Sequence, residues 1–323
     1  MKLWQKALVS VALLGALLAF IPWHDVVGAL RNLSAGIWVA ALGAFLLGHL
    51  VGVAKWRLIV NAGGGGLRGT DAVMCYAAGL FANLCLPSIV GGDVLRAVLA
   101  GRVTRRKEPA VWGGIVDRLI DTLTLVVLMF VGAALAHGAL PGVWATGLRA
   151  ALAIGVVGLA VFVPLAWRRP LARWPKRLRR PVGRSLVALR KLARSPGPAI
   201  AAALLSLAIQ SSFVLINVAL GTRLGISVPL AAWFLVWPLA KIASLAPISL
   251  GGLAVREASL AALLVPFGVP VALGVLSSLV WQTLLIAGGL LSGLVWLALR
   301  RRPSARSHAL GIGSATASRP HYG

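Results

Sequence analysis

Apolar stretches separated by short polar breaks fill the chain almost from end to end. They run over residues 7–21, 37–54, 71–101, 111–136, 144–166, 199–220, 229–267 and 269–299. A helix of about 20 apolar residues crosses a bilayer core, so six of these stretches are read as crossing helices. The first is short, and a cleaved signal peptide is the alternative. Phe20-Ile21-Pro22-Trp23-His24 follows it in place of a small-residue cleavage site, so it is read as retained, with residues 22–36 as an external loop. The stretches 71–101 and 229–267 are interrupted half-way by proline and paired glycines. Their halves, such as 71–86, are too short to cross.

The two interruptions are copies of one phrase. The first reads Pro87-Ser-Ile-Val-Gly91-Gly92-Asp93-Val-Leu-Arg96 and the second Pro247-Ile-Ser-Leu-Gly251-Gly252-Leu-Ala-Val-Arg256, offset by 160 residues (247 − 87). An arginine inside an apolar stretch is costly and usually functional. Its duplication in two halves is the pattern of a transporter built from internal repeats.

The basic residues assign sides. Lys55-Trp56-Arg57 reads as the interfacial end of the second span, and the loop 61–69, with four consecutive glycines and Arg68, as flexible and cytoplasmic. Arg102, Arg105, Arg106 and Lys107 close the segment 71–101. Basic loops mark the cytoplasmic side, so this segment starts and ends there and forms a re-entrant hairpin with Pro87 and Gly91-Gly92 at its tip. Irregular backbone at depth needs protein or water around it, so the tip is expected to line a cavity. The Arg300-Arg301-Arg302 end is also cytoplasmic, which makes the second hairpin enter from outside. The expected fold is an all-α polytopic membrane protein with an inverted-topology repeat of about six crossing helices and two re-entrant hairpins. Residues 1–142 form the first repeat, with hairpin 71–101. Residues 143–302 form the second, with a basic cytoplasmic loop at 167–198 and hairpin 229–267, and residues 303–323 form a disordered tail. The expected location is the bacterial inner membrane, with both termini in the cytoplasm.

Composition agrees. The 323 residues are 59% hydrophobic and 12% charged, with a mean hydropathy of +0.91, against roughly 25% charged in soluble domains. The net charge of +25 suggests nucleic acid at first sight. Its distribution in short loops points instead to anionic lipid headgroups, above all at 167–198, which holds eleven Lys/Arg and no acid. Cys75 and Cys85 are ten residues apart on one apolar stretch, without metal-ligand company.

Only seven acidic residues are present, and Asp93, Asp117, Asp121 and Glu257 lie in the apolar stretches or at the repeated phrase. Asp117 and Asp121 are i, i+4 and share one helix face. Two readings stay open for them: proton carriers, or a structural salt bridge with Arg118 or Arg96. Asp93 near Arg96 and Glu257 beside Arg256 face the same choice. At each hairpin tip the paired glycines admit unusual backbone and close ligand approach. The half-helix that follows presents unpaired N–H groups to an anion, and Arg96 and Arg256 are placed to fork onto a phosphate. Gln210, Asn217 and Gln282 read as interhelical hydrogen-bond partners, and the twelve tryptophans as interface anchors.

Leu86-Pro-x-x-x-Gly-Gly-Asp-x-x-Arg96, Asp117-Arg-x-x-Asp121 and Pro247-x-x-x-Gly-Gly-x-x-x-Arg-Glu257 resemble the transmembrane flippase-like region of lysylphosphatidylglycerol synthases. Standalone relatives of that region include hopanoid-cluster membrane proteins and archaeal lipid-linked glycosylation proteins. The resemblance covers about residues 5–300 and implies movement of a lipid across the bilayer. No aminoacyl-transferase domain follows, so synthase activity is not expected. The leading expectation is a flippase for a membrane lipid or polyprenyl-type amphiphile with an anionic, phosphate-bearing headgroup. The alternatives are a non-transporting subunit of a lipid- or glycolipid-biosynthesis complex, and an intramembrane phosphatase or transferase built on Asp117 and Asp121. No enzyme activity, cofactor, metal or nucleic-acid partner is expected; a homo-oligomer or a biosynthetic partner stays open. Without a nucleotide-binding motif, a proton or substrate gradient would supply the energy.

Overall fold

The computed structural model describes residues 33–85, 91–136, 196–244 and 255–300, together with residues 28, 31 and 146. The crossing stretches at 7–21 and 144–166, nearly all of the basic loop 167–198, the tip residues Pro87, Pro247, Gly251 and Gly252, and the tail 303–323 lie outside them. The described residues are helical and contain no strand. The protein is an all-α polytopic membrane protein.

Among the described residues eight α-helices follow in order: α1 (Ala35–Ala62), α2 (Gly69–Cys85), α3 (Gly91–Thr104), α4 (Lys107–Ala136), α5 (Pro196–Arg223), α6 (Leu230–Ala243), α7 (Val255–Leu264) and α8 (Val271–Arg300). Four of them, α1, α4, α5 and α8, are long and apolar enough to cross a membrane. The order long, short, short, long occurs twice, with 28 residues in both α1 and α5 and 30 in both α4 and α8.

The packing is two-fold as well. Helix α1 lies on α5, α2 on α8 and α4 on α6, while α3 lies on α4 as α7 does on α8. The equivalent helices α1 and α5 run antiparallel, because Phe45 stacks on Phe213 while Ile59 clusters with Ala202. Likewise Leu84 meets Gly289 and Phe81 meets Gly293, so α2 and α8 are antiparallel. Each half therefore buries its faces against the other.

Helix association in lipid rests on close packing more than on water exclusion. Trp281 of α8 sits edge-on to Trp237 of α6, Phe45 of α1 and Phe213 of α5, at centroid distances of 4.8, 5.5 and 5.7 Å. Each such aromatic pair contributes about 0.5–1.5 kcal/mol beyond its area. Trp56, Trp233, Trp237 and Trp281 are all buried, so these four are core residues and not the interface anchors that composition suggested. Pro238 inside α6 cannot donate to the Phe234 carbonyl, and Gly132 of α4 packs directly over that carbonyl.

Two boundaries differ from expectation. Helix α1 continues past Ala54 to Ala62, so Lys55 and Trp56 are buried within the bundle instead of marking an interface. The following glycine-rich loop is tied down. Asn61 accepts from Leu67 N at 2.6 Å and donates to its carbonyl at 3.1 Å, and Arg57 Nε donates to the same carbonyl at 3.0 Å. Gly64 and Gly66 take positive φ there, which other residues rarely adopt.

Helices α2 and α3 form an antiparallel hairpin. Its open ends meet, since Arg106 Nη1 donates to the Gly64 carbonyl at 2.5 Å. At its closed end Asn83 Oδ1 accepts from Gly92 N at 3.1 Å and caps α3. Gly92 does not take a positive φ. Its missing side chain lets the Gly79 carbonyl and Asn83 approach instead, so it serves helix contact and not unusual backbone.

With both hairpin ends together, cysteines placed at the exposed Arg68 and Arg102 should be labelled by an impermeant maleimide from one and the same side, in a background lacking Cys75 and Cys85. Labelling from opposite sides would mean that α2 and α3 cross in succession.

Candidate functional site

Helices α1–α6 enclose a cavity of about 130 Å³. Its wall carries Lys55, Asp93, Arg96, Asp117, Arg118, Asp121 and Lys241, together with His49, Tyr76, Asn83 and Gln210. Asp117 and Asp121 sit ten and fourteen residues into α4, which at 1.5 Å per residue is roughly 15–20 Å from its start. The cavity is therefore polar and lies deep between apolar helices.

The charges form an alternating row. Asp117 and Asp121, one helical turn apart, both reach Lys55 of α1, with Lys55 Nζ 3.0 Å from Asp117 Oδ1. Ser206 of α5 donates to Asp121 Oδ1 at 2.5 Å. Asp117 Oδ2 then accepts from Arg96 Nη2 at 2.6 Å, and Arg96 Nη2 lies 3.2 Å from Asp93 Oδ1. Arg118 closes the row on the other oxygen of Asp93. Lys55 is 2% exposed while Arg118 is 42% exposed, so the row runs from the protein interior toward an open end. The Arg96 guanidinium is also flanked by the rings of Trp56 and Tyr76, at 5.2 and 5.1 Å. Such stacking favours arginine over lysine.

Asp117 and Asp121 both take part in ion pairs. Asp117 pairs with Arg96 and Lys55, whereas Arg118 turns to Asp93. The start of α3 is already supplied by Asn83 and by Asp93 in its first turn. Gly91 and Gly92 contribute the helix start and its contact with α2.

Of the second copy, the structure describes Arg256 with its neighbour Glu257, and these two lie away from the cavity. Arg256 donates to Glu257 Oε1 at 2.5 Å and to Gln282 Oε1 at 2.7 Å, and the Ser278 hydroxyl lies 3.5 Å from Glu257. Neither Arg256 nor Glu257 lines the cavity. Gln210 and Gln282 do link helices, by accepting from Lys241 and Arg256. Asn217 instead donates to the Phe213 carbonyl of its own helix.

Lys55 and Lys241 are the site residues that sequence reasoning passes over. Lys241 is an isolated lysine in an apolar run, a signal that marks an intramembrane functional residue by default, whereas Lys55 is masked by Trp56 and Arg57 beside it. The repeated phrase drew attention to arginine alone.

A family model described as the lysylphosphatidylglycerol synthase TM region matches residues 4–293. The chain belongs to this family. No curated protein and no solved structure matches it. The matched region takes in α1–α7 whole and α8 as far as Gly293, and so includes the entire charged row. Membership connects this multi-pass protein to membrane-lipid function.

Removing one member of a buried ion pair typically costs about 3–5 kcal/mol. Lys55→Met leaves two carboxylates without their shared cation and should lower the thermal unfolding midpoint in detergent markedly. Asp121→Asn should cost less, because Lys55 keeps Asp117. Equal midpoints for Lys55→Met and wild type would show that the row does not hold the bundle together. Separately, Gly92→Ala should destabilise the α2–α3 hairpin, seen as earlier proteolysis between Gly79 and Arg102.

Proposed function

We propose that the protein is a lipid flippase that moves an amphiphile with an anionic headgroup across the bacterial inner membrane. One observation carries this reading: the cavity wall holds four bases, Lys55, Arg96, Arg118 and Lys241, against three acids, Asp93, Asp117 and Asp121. A surplus positive charge deep among apolar helices is expensive unless an anion joins it. Around this polar interior the bundle turns Leu47, Leu135, Ile200, Leu204 and Leu294 outward. A headgroup inside the cavity with its acyl or prenyl chains against these residues satisfies both surfaces. Membership of the lysylphosphatidylglycerol synthase TM region family supports a lipid as the amphiphile.

The doubled helix order and the antiparallel placement of α1 and α5 suit a carrier whose halves exchange roles across the membrane. A gradient of substrate or protons drives the movement in this reading. The phosphatase and transferase alternatives need a carboxylate available for chemistry. Asp117 and Asp121 are instead both engaged by cations.

The test is translocation of fluorescent phosphatidylglycerol and of a prenyl phosphate in proteoliposomes containing this protein alone, read by quenching of the outer leaflet. Wild type should exceed empty liposomes for at least one of them. Arg96→Lys keeps the charge but loses the planar group that spans Asp93 and Asp117. Its rate should fall by about tenfold or more, the worth of a charge-assisted hydrogen bond, while the unfolding midpoint should fall less than in Lys55→Met, because the charge is kept. Wild-type protein that moves neither lipid would overturn the flippase reading.

A further inference from the structure

We propose that Lys241 is the residue that receives the anion, a phosphate group, with Gln210 as its hydrogen-bonding neighbour. This inference rests on the flippase reading for its substrate but on separate geometry for its place. Within the cavity Lys55, Arg96 and Arg118 are matched one for one by Asp121, Asp117 and Asp93. The row is neutral as a unit, and the surplus charge is that of Lys241.

Lys241 hydrogen-bonds to a neutral partner, and Asp121, the acid whose charge it feels most, is already held by Lys55. Lys241 Nζ donates to Gln210 Oε1 at 2.8 Å and lies 5.3 Å from the centroid of Phe213. An amide oxygen and an aromatic face stabilise an ammonium without cancelling its charge, so the charge stays available to a ligand. Gln210 presents Oε1 to the lysine, and no described residue pairs with its amide Nε2, which is free to donate to a bound oxygen. Lysine binds phosphate as a point charge and does not need the planar fork of arginine.

Room and position agree. One water needs only about 10–15 Å³ of such a cavity, so its volume of about 130 Å³ leaves room for a phosphate group. Arg96 and Arg256, the residues singled out by the repeated phrase, have their guanidinium groups on Asp117 and on Glu257 with Gln282. Lys241 belongs to α6 in the second half, whereas the neutral row belongs to α1, α3 and α4 in the first. A phosphate held at Lys241 therefore sits at the joint between the halves.

Isothermal titration of the purified full chain in detergent tests this, with dihexanoyl phosphatidylglycerol and inorganic phosphate as probes and dihexanoylglycerol as the phosphate-free control. Wild type should bind at least one phosphate probe and not the control; which probe binds tells whether a lipid headgroup or free phosphate is the source. Lys241→Gln should weaken that binding about tenfold or more, and Lys241→Arg should restore most of it. Gln210→Glu puts a carboxylate beside the ammonium and should weaken binding as much, which decides the matter if Lys241→Gln fails to fold. Unchanged affinity in a folded Lys241→Gln or Gln210→Glu protein, or no phosphate binding by wild type, would overturn the assignment. The two proposals fail separately. Translocation that survives in both variants removes Lys241 and leaves the flippase, whereas Lys241-dependent binding without translocation does the reverse.

Discussion

Lys55 between Asp117 and Asp121 is the contact on which the rest of the site depends. Two carboxylates one turn apart on an apolar helix are costly at depth without a cation between them. Lys55 supplies it from α1, and by doing so fixes α1 against α4 at one axial height. Asp117 can then offer its second oxygen to Arg96, which sets the depth of the hairpin helix α3, and Asp93 in turn holds Arg118. Three elements are thus registered to one another by charge in a setting where apolar packing alone has little directional preference.

The larger outline of the fold is legible in the sequence because its causes are local. Hydropathy marks the long helices, and basic residues on both flanks of residues 71–101 mark a segment that turns back. The duplicated Pro-x-x-x-Gly-Gly phrase marks the two halves. The site is legible only in part. Asp93, Arg96, Asp117, Arg118 and Asp121 stand out as charges among apolar residues, and the structure brings them together. Arg256 and Glu257 stand out equally, yet they pair with each other and Gln282 away from the cavity. What separates the two cases is which helix lies opposite: α3 faces two carboxylates and a lysine, whereas α7 faces serines and a glutamine. That difference is one of tertiary partners and leaves no trace in the phrase itself.

Lys55 illustrates the opposite error. A Lys-Trp-Arg triplet closing an apolar run has the composition of a membrane interface, and only the continuation of α1 to Ala62 places it inside. The tryptophans mislead for a related reason. Indole suits headgroup depth, but it also fills large interhelical gaps, and Trp56, Trp233, Trp237 and Trp281 are used that way. Glycine content is similarly ambiguous. Gly64 and Gly66 answer a backbone need, while Gly92 and Gly132 make room for a neighbouring helix.

The exchange of partners between the halves bears on how the chain is made. Helix α2 finds its packing surface on α8, α4 finds its own on α6, and α1 finds its own on α5. During synthesis the first hairpin leaves the ribosome roughly 200 residues before α8 exists, an order set by the N-to-C direction of translation. Until then the face of α2 that will meet α8 has no protein wall against it. The nascent first half stays in the membrane in an unfinished arrangement until α8 completes the first hairpin's setting.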